Sequence, residues 1–272
     1  MHFRVRHESW YRYDVPVTLG PHLLRLTPRA GSIQLHSQRL HVDPLPILSR
    51  PEIDALGNGI TRLEFSGSTG QLRVLSEFEL DTLPLVPLDL RLEPLPPVGH
   101  AAWNLSDAAP HPNVQGFAES LAADVGRDPL AFLDHLTRSL YTRMDRQIRH
   151  VGEARPAHET LALGSGACRD LTVVFLEACR SFGLSGRFVS GYQAHADTPD
   201  GQRHLHAWAE VLLPGAGWRG WDPTHGVRAS EGHVALCAAP TQVATMPIEG
   251  SFSFQGAVVN STLDHSVRLS TD

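Results

Sequence analysis

The N-terminal part of the chain alternates between apolar and polar positions with a period of two. In HFRVRHESWYRYDVPV, the apolar side chains Phe3, Val5, Trp10 and Tyr11 are interspersed among arginines and histidines. This alternation is typical of half-buried β-strands. The stretches LHVDPLP, DALGNGITRLEFSG and QLRVLSEFELDTL continue the pattern, with Gly, Asn and Pro residues between them. Short strands at this spacing predict an antiparallel sheet or sandwich.

A proline-rich stretch follows these strands. Five prolines lie between Pro84 and Pro97 in LPLVPLDLRLEPLPPVG. Prolines this close together cannot sustain a central strand or a helix. We therefore expect a β-rich N-terminal domain at residues 1–85, a connector at residues 86–100 and a second domain at residues 101–272.

After the connector, the apolar positions recur with a helical period. NVQGFAESLAADVG and DPLAFLDHLTRSLYTRM predict two helices, the second with Asp128 as its N-cap and Pro129 at its first position. A further helix begins at Cys168 and ends before Gly183. Its apolar stripe consists of Leu171, Val174, Phe175, Ala178 and Phe182. GRFVSGYQ, HLHAWAEVLLP and WRGWDPT predict strands, so the fold class is α+β.

The composition is that of a globular protein and argues against a polyanionic partner. The 272 residues are 42% hydrophobic and 19% charged, which is ordinary for a folded domain. The 23 basic residues, all of them arginine, stand against 29 acidic ones. The resulting net charge of −6 argues against nucleic acid or an anionic membrane as a partner. No apolar run reaches the length of a membrane span, and the segment from Met1 lacks an apolar signal core, so we expect a cytoplasmic protein.

The three cysteines have different surroundings. Their odd number and their spacing indicate free thiols in a reducing compartment. Cys168 follows the small residues GSGA at a helix start, where unpaired N–H groups and the helix dipole can lower a thiol pKa. Cys179 falls in the middle of the helix and Cys237 in a loop-like stretch, so we expect both to be inert. Cys168 is the candidate nucleophile, and its own backbone N–H is the candidate oxyanion donor.

A nucleophilic thiol needs a base and a group that orients the base. The strand HLHAWAEV offers His204 and His206 on one face, and Asp222 ends the next strand in GWRGWDPTHG. Adjacent antiparallel strands would set the His206 imidazole beside the Asp222 carboxylate, across from Cys168. A cysteine, a histidine and an aspartate occur in most chains by chance, so this pattern needs support from its surroundings.

The surroundings resemble the core of the transglutaminase-like superfamily. The matching runs are GACRDLTVVFLEACRSFGLSGRFVSGY and HAWAEVLLPGAGWRGWDPTHG, and HVALCAAPTQVATMPIEGSF resembles the segment that follows them. RHESWYRYDVPV, LRLTPR and DALGNGITRLEF resemble the β-rich region that precedes this core in bacterial members. Two positions depart from the pattern. Ala167 stands where bacterial members usually have valine, and Leu205 stands where a small polar residue often precedes the histidine.

The resemblance implies an N-terminal antiparallel β domain followed by a papain-like core of helices packed on an antiparallel sheet. It implies that Cys168 is the nucleophile, His206 the base and Asp222 the residue that orients the base. Such a protein would act without a cofactor on amide bonds of a protein or peptide, as a transglutaminase, peptidase or amidase. The family's aromatic oxyanion donor matches no motif here, so the second donor stays open. Candidates for the substrate groove are Gly166, Ala167, Tyr192 and Trp208.

Three functions from different classes are compatible with these residues. The first is acyl transfer through a thioester that water or an amine resolves, and we favour hydrolysis because no acceptor site is visible. The second is a binding module that keeps the fold without turnover, against which the intact set of Cys168, His206 and Asp222 counts. The third is a zinc site that adds His204 to these three ligands.

Overall fold

The computed structural model describes residues 1–84, 109–194, 198, 200–256 and 258–272, and the predicted connector at residues 86–100 lies outside them. The first strands are β1 His2–Leu24, β2 Ile33–Asp43, β3 Leu48–Ile53, β4 Gly59–Glu64 and β5 Thr69–Thr82. The helices are α1 Pro112–Asp124, α2 Pro129–Arg143, α3 Ala157–Leu163 and α4 Cys168–Phe182. The later strands are β6 Asp145–Arg146, β7 Ser165–Gly166, β8 Gly186–Gln193, β9 His206–Leu213, β10 Gly217–Asp222, β11 Val227–Arg228, β12 His233–Ala239, β13 Ile248–Ser253 and β14 Ser261–Thr271.

The first sheet is antiparallel and is built around the long strand β1. The strand order is β2-β5-β1-β4-β3, and β13 and β14 also pair with β1. The predicted alternation is present, because Phe3, Val5, Val17 and Leu19 are buried between more exposed neighbours. The antiparallel β-rich N-terminal domain is therefore confirmed as part of the fold class.

The chain's last two strands belong to this first sheet. β14 pairs with β1 from Phe3–Thr271 to Tyr13–Ser261, and β13 pairs with its second half. The sequence-based boundary assigns these residues to the second domain at residues 101–272. The polar stretch STLDHSVRLST carries a weak strand signal, and its partner lies some 250 residues away, so local pattern cannot reveal the pairing.

The second sheet carries the helices and has the order β11-β10-β9-β8-β12. Of the predicted apolar stripe of α4, Leu171, Val174, Phe175 and Ala178 are buried in the main core, together with Leu133 and Leu136 of α2. Phe182 is partly buried and packs against this core. α4 ends as predicted, at Gly183 in the left-handed conformation with φ 96°. Asp128 caps α2 by accepting a hydrogen bond from the Ala131 N–H at 2.8 Å. The α+β fold class is confirmed.

The two sheets share a second core. Tyr192 on β8 and Val234 and Leu236 on β12 pack among buried residues of the N-terminal sheet. The Tyr192 hydroxyl is hydrogen-bonded to Nδ1 of His7 on β1 at 2.7 Å. None of the helices within the described ranges is long and apolar enough to cross a membrane.

Candidate active site

The N-terminus of α4 is held by a buried carboxylate. Asp170 Oδ2 accepts the Ala167 N–H at 2.9 Å, while Oδ1 accepts the Arg155 N–H at 2.8 Å and contacts Arg149 Nη2 at 2.5 Å. Asp170 is fully buried. A carboxylate in the first turn also favours the helix dipole. These contacts fix the position of Cys168, the first residue of α4, and its N–H is among the helix-start donors without an intrahelical acceptor.

The predicted base and its carboxylate partner meet where β9 begins and β10 ends. These two strands are antiparallel neighbours, and His206 Nε2 lies 2.8 Å from Asp222 Oδ2. The other side of the His206 ring is hydrogen-bonded to the Cys168 sulfur. Since Nε2 faces the carboxylate, the nitrogen toward the sulfur is Nδ1. The structure thus brings together all three residues that the sequence singles out.

The environment of Cys168 favours the thiolate. Burial raises the pKa of the thiol, but the hydrogen bond and charge of His206, with a smaller contribution from Arg169, bring this pKa below its ordinary value. Burial likewise opposes the charged form of His206, but Asp222 and Cys168 outweigh it and raise the His206 pKa to about 10. With the thiol pKa below the imidazole pKa, the proton passes from sulfur to imidazole.

The other two cysteines lack such partners. Cys179 is buried inside α4, and burial raises its thiol pKa well above the ordinary value. Cys237 lies on β12 and is fully buried, and burial raises its pKa to about 11. The sequence-based placement of Cys237 in a loop is therefore wrong. Their burial and raised pKa values support the prediction that both thiols are inert.

Asp222 receives hydrogen bonds from more groups than the sequence indicates. His225 Nδ1 and His233 Nε2 lie 2.8 and 3.2 Å from Oδ2, the oxygen that His206 also contacts. Oδ1 accepts the N–H groups of Thr224 and His225 at 3.0 and 3.2 Å. Asp222 is fully buried, which raises its pKa, but His206 and the other two histidines bring that pKa well below the ordinary value. The carboxylate is therefore anionic, with three hydrogen-bond contacts at Oδ2 and two at Oδ1.

The two additional histidines come from different places in the sequence. His225 follows Asp222 in the turn DPTHG, where spacing alone could have suggested it. His233 lies on β12, which pairs with β8 and not with β10, so only the sheet order brings it to Asp222. His233 Nδ1 accepts the Ser230 N–H at 3.2 Å, so its Nε2 carries the proton that Asp222 accepts. Burial lowers the His233 pKa and keeps this ring neutral.

Cys168 and His206 line a groove of about 510 Å³ that extends to the N-terminal sheet. One wall is formed by His7, Ser9 and Tyr11 of β1 together with Leu263, His265 and Val267 of β14. The groove is also lined by residues 146–150, 152 and 153 and by Arg203, His204 and Leu205. Residues of both sheets therefore line the groove, whereas Cys168, His206 and Asp222 all lie in the helix-bearing core.

Of the four predicted groove residues, Ala167 lines the groove. Gly166 is buried behind α4, and a Cβ there would lie 2.9 Å from the Cβ of Asp170. Tyr192 is fully enclosed in the core between the sheets, because neighbours on a strand face opposite sides, and the next residue, Gln193, faces the groove instead. Trp208 is buried with its ring against His206 and His233. The assignment of Gly166, Tyr192 and Trp208 to the groove is corrected accordingly.

His204 does not join the other three residues proposed as zinc ligands. It precedes β9, and its Nε2 lies 2.7 Å from Asp200 Oδ2. Its ring is grouped with those of His150 and His265. In the described part of the chain, the sets of side chains close enough to share an ion do not include Cys168. The four-ligand zinc site is thus not assembled.

A helix-start cysteine, a histidine and a buried aspartate, set on a helix-covered antiparallel sheet, define a papain-like core. Comparisons with known proteins agree. A model of the transglutaminase-like superfamily matches residues 119–223, and a model of the bacterial transglutaminase-like N-terminal region matches residues 3–81. This chain belongs to the transglutaminase-like superfamily and has the N-terminal region of its bacterial members.

Full-length similarity extends to other proteins. An uncharacterised protein of Mycobacterium leprae is 26% identical over 265 residues, which is 93% of this chain and 94% of that protein. The crystal structure of a candidate cysteine protease from Cytophaga hutchinsonii superposes with a TM-score of 0.71 at 18% identity. The superposition covers 100% of this chain and 92% of that one, so the two share the whole two-sheet fold.

Proposed function

We propose that this protein catalyses thiol-dependent acyl transfer on amide bonds, with Cys168 as nucleophile, His206 as acid and base, and Asp222 as the residue that orients His206. The observation that carries the proposal is the continuous hydrogen-bonded series from the Cys168 sulfur through His206 to the buried Asp222, open to a groove. A nucleophile, a base and an orienting group within hydrogen-bond reach are what covalent catalysis requires.

In the first half-reaction, the Cys168 thiolate attacks the carbonyl carbon of the substrate amide. The carbonyl π electrons move to oxygen, and the oxyanion is stabilised by the Cys168 N–H at the positive end of α4. As the intermediate collapses, the C–N bond breaks and His206 Nδ1–H protonates the leaving amine. The products are an amine and a thioester on Cys168, with His206 now neutral.

In the second half-reaction, neutral His206 removes a proton from water while the water oxygen attacks the thioester carbon. Collapse of this intermediate breaks the C–S bond and releases a carboxylic acid, which restores the thiolate and the protonated imidazole. An amine in place of water would give transamidation. We propose hydrolysis as the main outcome, because water reaches an open groove without a dedicated binding site.

The groove also suggests what kind of molecule enters it. Gln193 Oε1, Thr224 Oγ1 and His225 Nε2 are buried, line the groove and have no hydrogen-bond partner in the described structure. Unpaired buried polar atoms cost free energy until a partner arrives, about 1–3 kcal/mol each. Gln193 Oε1 accepts hydrogen bonds, and His225 Nε2 accepts one when the ring proton is on Nδ1, toward Asp222. The backbone N–H groups of a peptide supply such donors, so we propose a protein or peptide substrate. The need for a free Cys168 thiol favours the cytoplasm as its location.

A test of the function uses a peptide that carries a thiol-reactive electrophile in place of the scissile amide. We expect stoichiometric modification of Cys168, identified by peptide mapping, and at least tenfold slower modification in His206→Ala. Cys179→Ala is the matched control, because it removes a buried thiol that no reacting group contacts. Modification that is as fast in His206→Ala as in the parent protein would instead support a binding module without turnover.

A further inference from the structure

Three histidines from separate segments converge at the groove. They are His150 in the loop after β6, His204 before β9 and His265 on β14, and each lines the groove. Ring nitrogens from the three residues lie within 4.8 Å of one another. The centroid of the His150 ring is 5.7 Å from that of His204 and 5.5 Å from that of His265. The ring planes of these two pairs are inclined at 67° and 54°, so the rings are not stacked.

This spacing is close to that of a metal site with three imidazole ligands. Zinc–nitrogen bonds of about 2.0–2.1 Å in tetrahedral geometry place ligand nitrogens roughly 3.3 Å apart. The observed limit of 4.8 Å therefore needs an inward shift of about 1.5 Å at most, which side-chain rotation can supply. His150 and His265 are exposed enough to rotate.

His204 already has the partner that histidine ligands of metals commonly have. Its Nε2 is hydrogen-bonded to Asp200 Oδ2 at 2.7 Å, and with the proton on Nε2 the other ring nitrogen, Nδ1, can bind a metal. A carboxylate on the far nitrogen fixes the tautomer and makes the imidazole a better ligand.

We propose that His150, His204 and His265 bind one divalent transition-metal ion, with Zn²⁺ as the matching ion. Imidazole nitrogens suit Zn²⁺ among the common divalent ions. The ion would connect β14 of the N-terminal sheet to two loops of the core, across the groove. A site with three protein ligands keeps a fourth position for water or another ligand. This proposal does not depend on the thiol chemistry, since none of its ligands belongs to the proposed reacting groups.

The ion would also act on the start of α4 through the loop that carries His150. The guanidinium of Arg169, the residue after Cys168, donates to the carbonyl oxygens of Arg149 and Val151 at 2.7 and 2.9 Å. These carbonyls flank His150. The loop would therefore be restrained by two contacts, the ion between His150 and β14 and the hydrogen bonds from Arg169 to the neighbouring carbonyls.

The test measures Zn²⁺ binding by equilibrium dialysis of metal-free full-length protein carrying Cys168→Ala, so that no thiolate at the reacting site competes. We expect one Zn²⁺ per chain. Adding Asp200→Asn should weaken binding about 10–100-fold, because it removes the carboxylate behind His204. Adding His265→Ala should weaken binding further, because it removes a ligand. His36→Ala is the matched control, since His36 belongs to a separate cluster with His2 and Asp81.

Thermal unfolding supplies a second readout. Zn²⁺ should raise the unfolding temperature of the Cys168→Ala protein and of its His36→Ala derivative. It should not raise the unfolding temperature of the His265→Ala derivative. We expect this derivative to fold, because the His265 side chain is exposed on an outer strand. Stoichiometric binding that persists in His265→Ala would overturn the proposal, as would loss of binding in His36→Ala. Absence of stoichiometric binding in the parent protein would overturn it as well, with no bearing on the reactivity of Cys168.

Discussion

His206 and His233 contact the same oxygen of Asp222, at 2.8 and 3.2 Å, yet their pKa values shift in opposite directions. Burial opposes the charged form of both rings. His206 also faces the Cys168 sulfur, so two anionic partners raise its pKa to about 10. His233 accepts the Ser230 N–H on its other nitrogen and stays neutral with a lowered pKa. The same carboxylate therefore stabilises the charged form of His206 and accepts a hydrogen bond from the neutral ring of His233.

Replacing Asp222 by Asn should lower kcat by roughly 10²–10⁴-fold, as for the orienting aspartate of other triads. The loss of the negative charge should also lower the His206 pKa, so the alkaline limb of the pH–rate profile should move to lower pH. The measurement is the pH dependence of kcat/KM on a peptide amide substrate. His233→Gln is the matched variant, because it changes a neutral partner of the same oxygen. An alkaline limb that stays in place in Asp222→Asn would contradict the assignment.

Cys168 should be the first thiol to react with iodoacetamide near neutral pH. Its pKa lies below the ordinary thiol value, whereas burial raises the pKa of Cys179 and raises that of Cys237 to about 11. Cys168 is also partly exposed, and the other two are buried. Peptide mapping after addition of one equivalent of reagent identifies the modified residue. Preferential modification of Cys179 or Cys237 in the folded protein would refute the prediction.

The rate of Cys168 alkylation should rise with pH at a lower pKa than that of an ordinary thiol. The rise should occur at lower pH because His206 lowers the pKa of the Cys168 thiol. The thiolate–imidazolium pair then persists from this lowered pKa up to the His206 pKa of about 10. His206→Ala should move the rise to higher pH. The alkylation rate constant is measured at a series of pH values by quenching the reaction at set times. The same pH dependence in the parent protein and in His206→Ala would count against the ion pair.

Tyr192→Phe should lower the free energy of unfolding by about 1–3 kcal/mol, because it leaves the buried His7 nitrogen without its partner. His7 is almost fully buried, and its hydrogen bond to Tyr192 joins the two sheets. Urea unfolding at neutral pH measures the change. Tyr13→Phe is the matched control, since Tyr13 is only partly buried. Equal stability of the parent protein and Tyr192→Phe would show that the bond contributes nothing.

Self-crosslinking through lysine should be absent even in a concentrated, active preparation, because the chain contains no lysine. If transamidation occurs, it should appear only with an added amine, which can be attached to a glutamine peptide. The measurement compares incorporation of a fluorescent primary amine with release of ammonia, and Cys168→Ala is the blank. Ammonia release without incorporation supports hydrolysis. Amine incorporation well above ammonia release would replace the proposed hydrolysis by transamidation.

The sequence predicts the local elements and the grouping of Cys168, His206 and Asp222 well, because each has a short-range signal. The α4 stripe, Gly183 and the small residues before Cys168 all lie within a single stretch, and β9 and β10 are neighbours in both sequence and sheet. His233 could not be assigned, because its role depends on β12 crossing to the far edge beside β8. Long-range strand order of this kind has no local signature.

The groove was predicted less well than the reacting residues. Tyr192 and Trp208 are aromatic residues close to the site in sequence, but the side of the sheet that each faces is set by register, and both are buried. The wall made by His7 and His265 comes from β1 and β14, which lie on either side of the core in sequence and pair with each other in the N-terminal sheet. No pattern near Cys168 indicates that these distant segments complete its surroundings.

The pairing of β1 with β14 has a consequence for protein synthesis. The ribosome makes β1 before Cys168 and makes β14 after every other strand of the two sheets. While residues 261–271 are still unmade, a nascent chain already carries the thiol and its histidine but lacks one side of the groove. A growing chain therefore contains Cys168 and His206 before it contains the β14 residues that line the same groove. Under the proposed function, we expect the chain to gain activity only after its last strand has paired with β1.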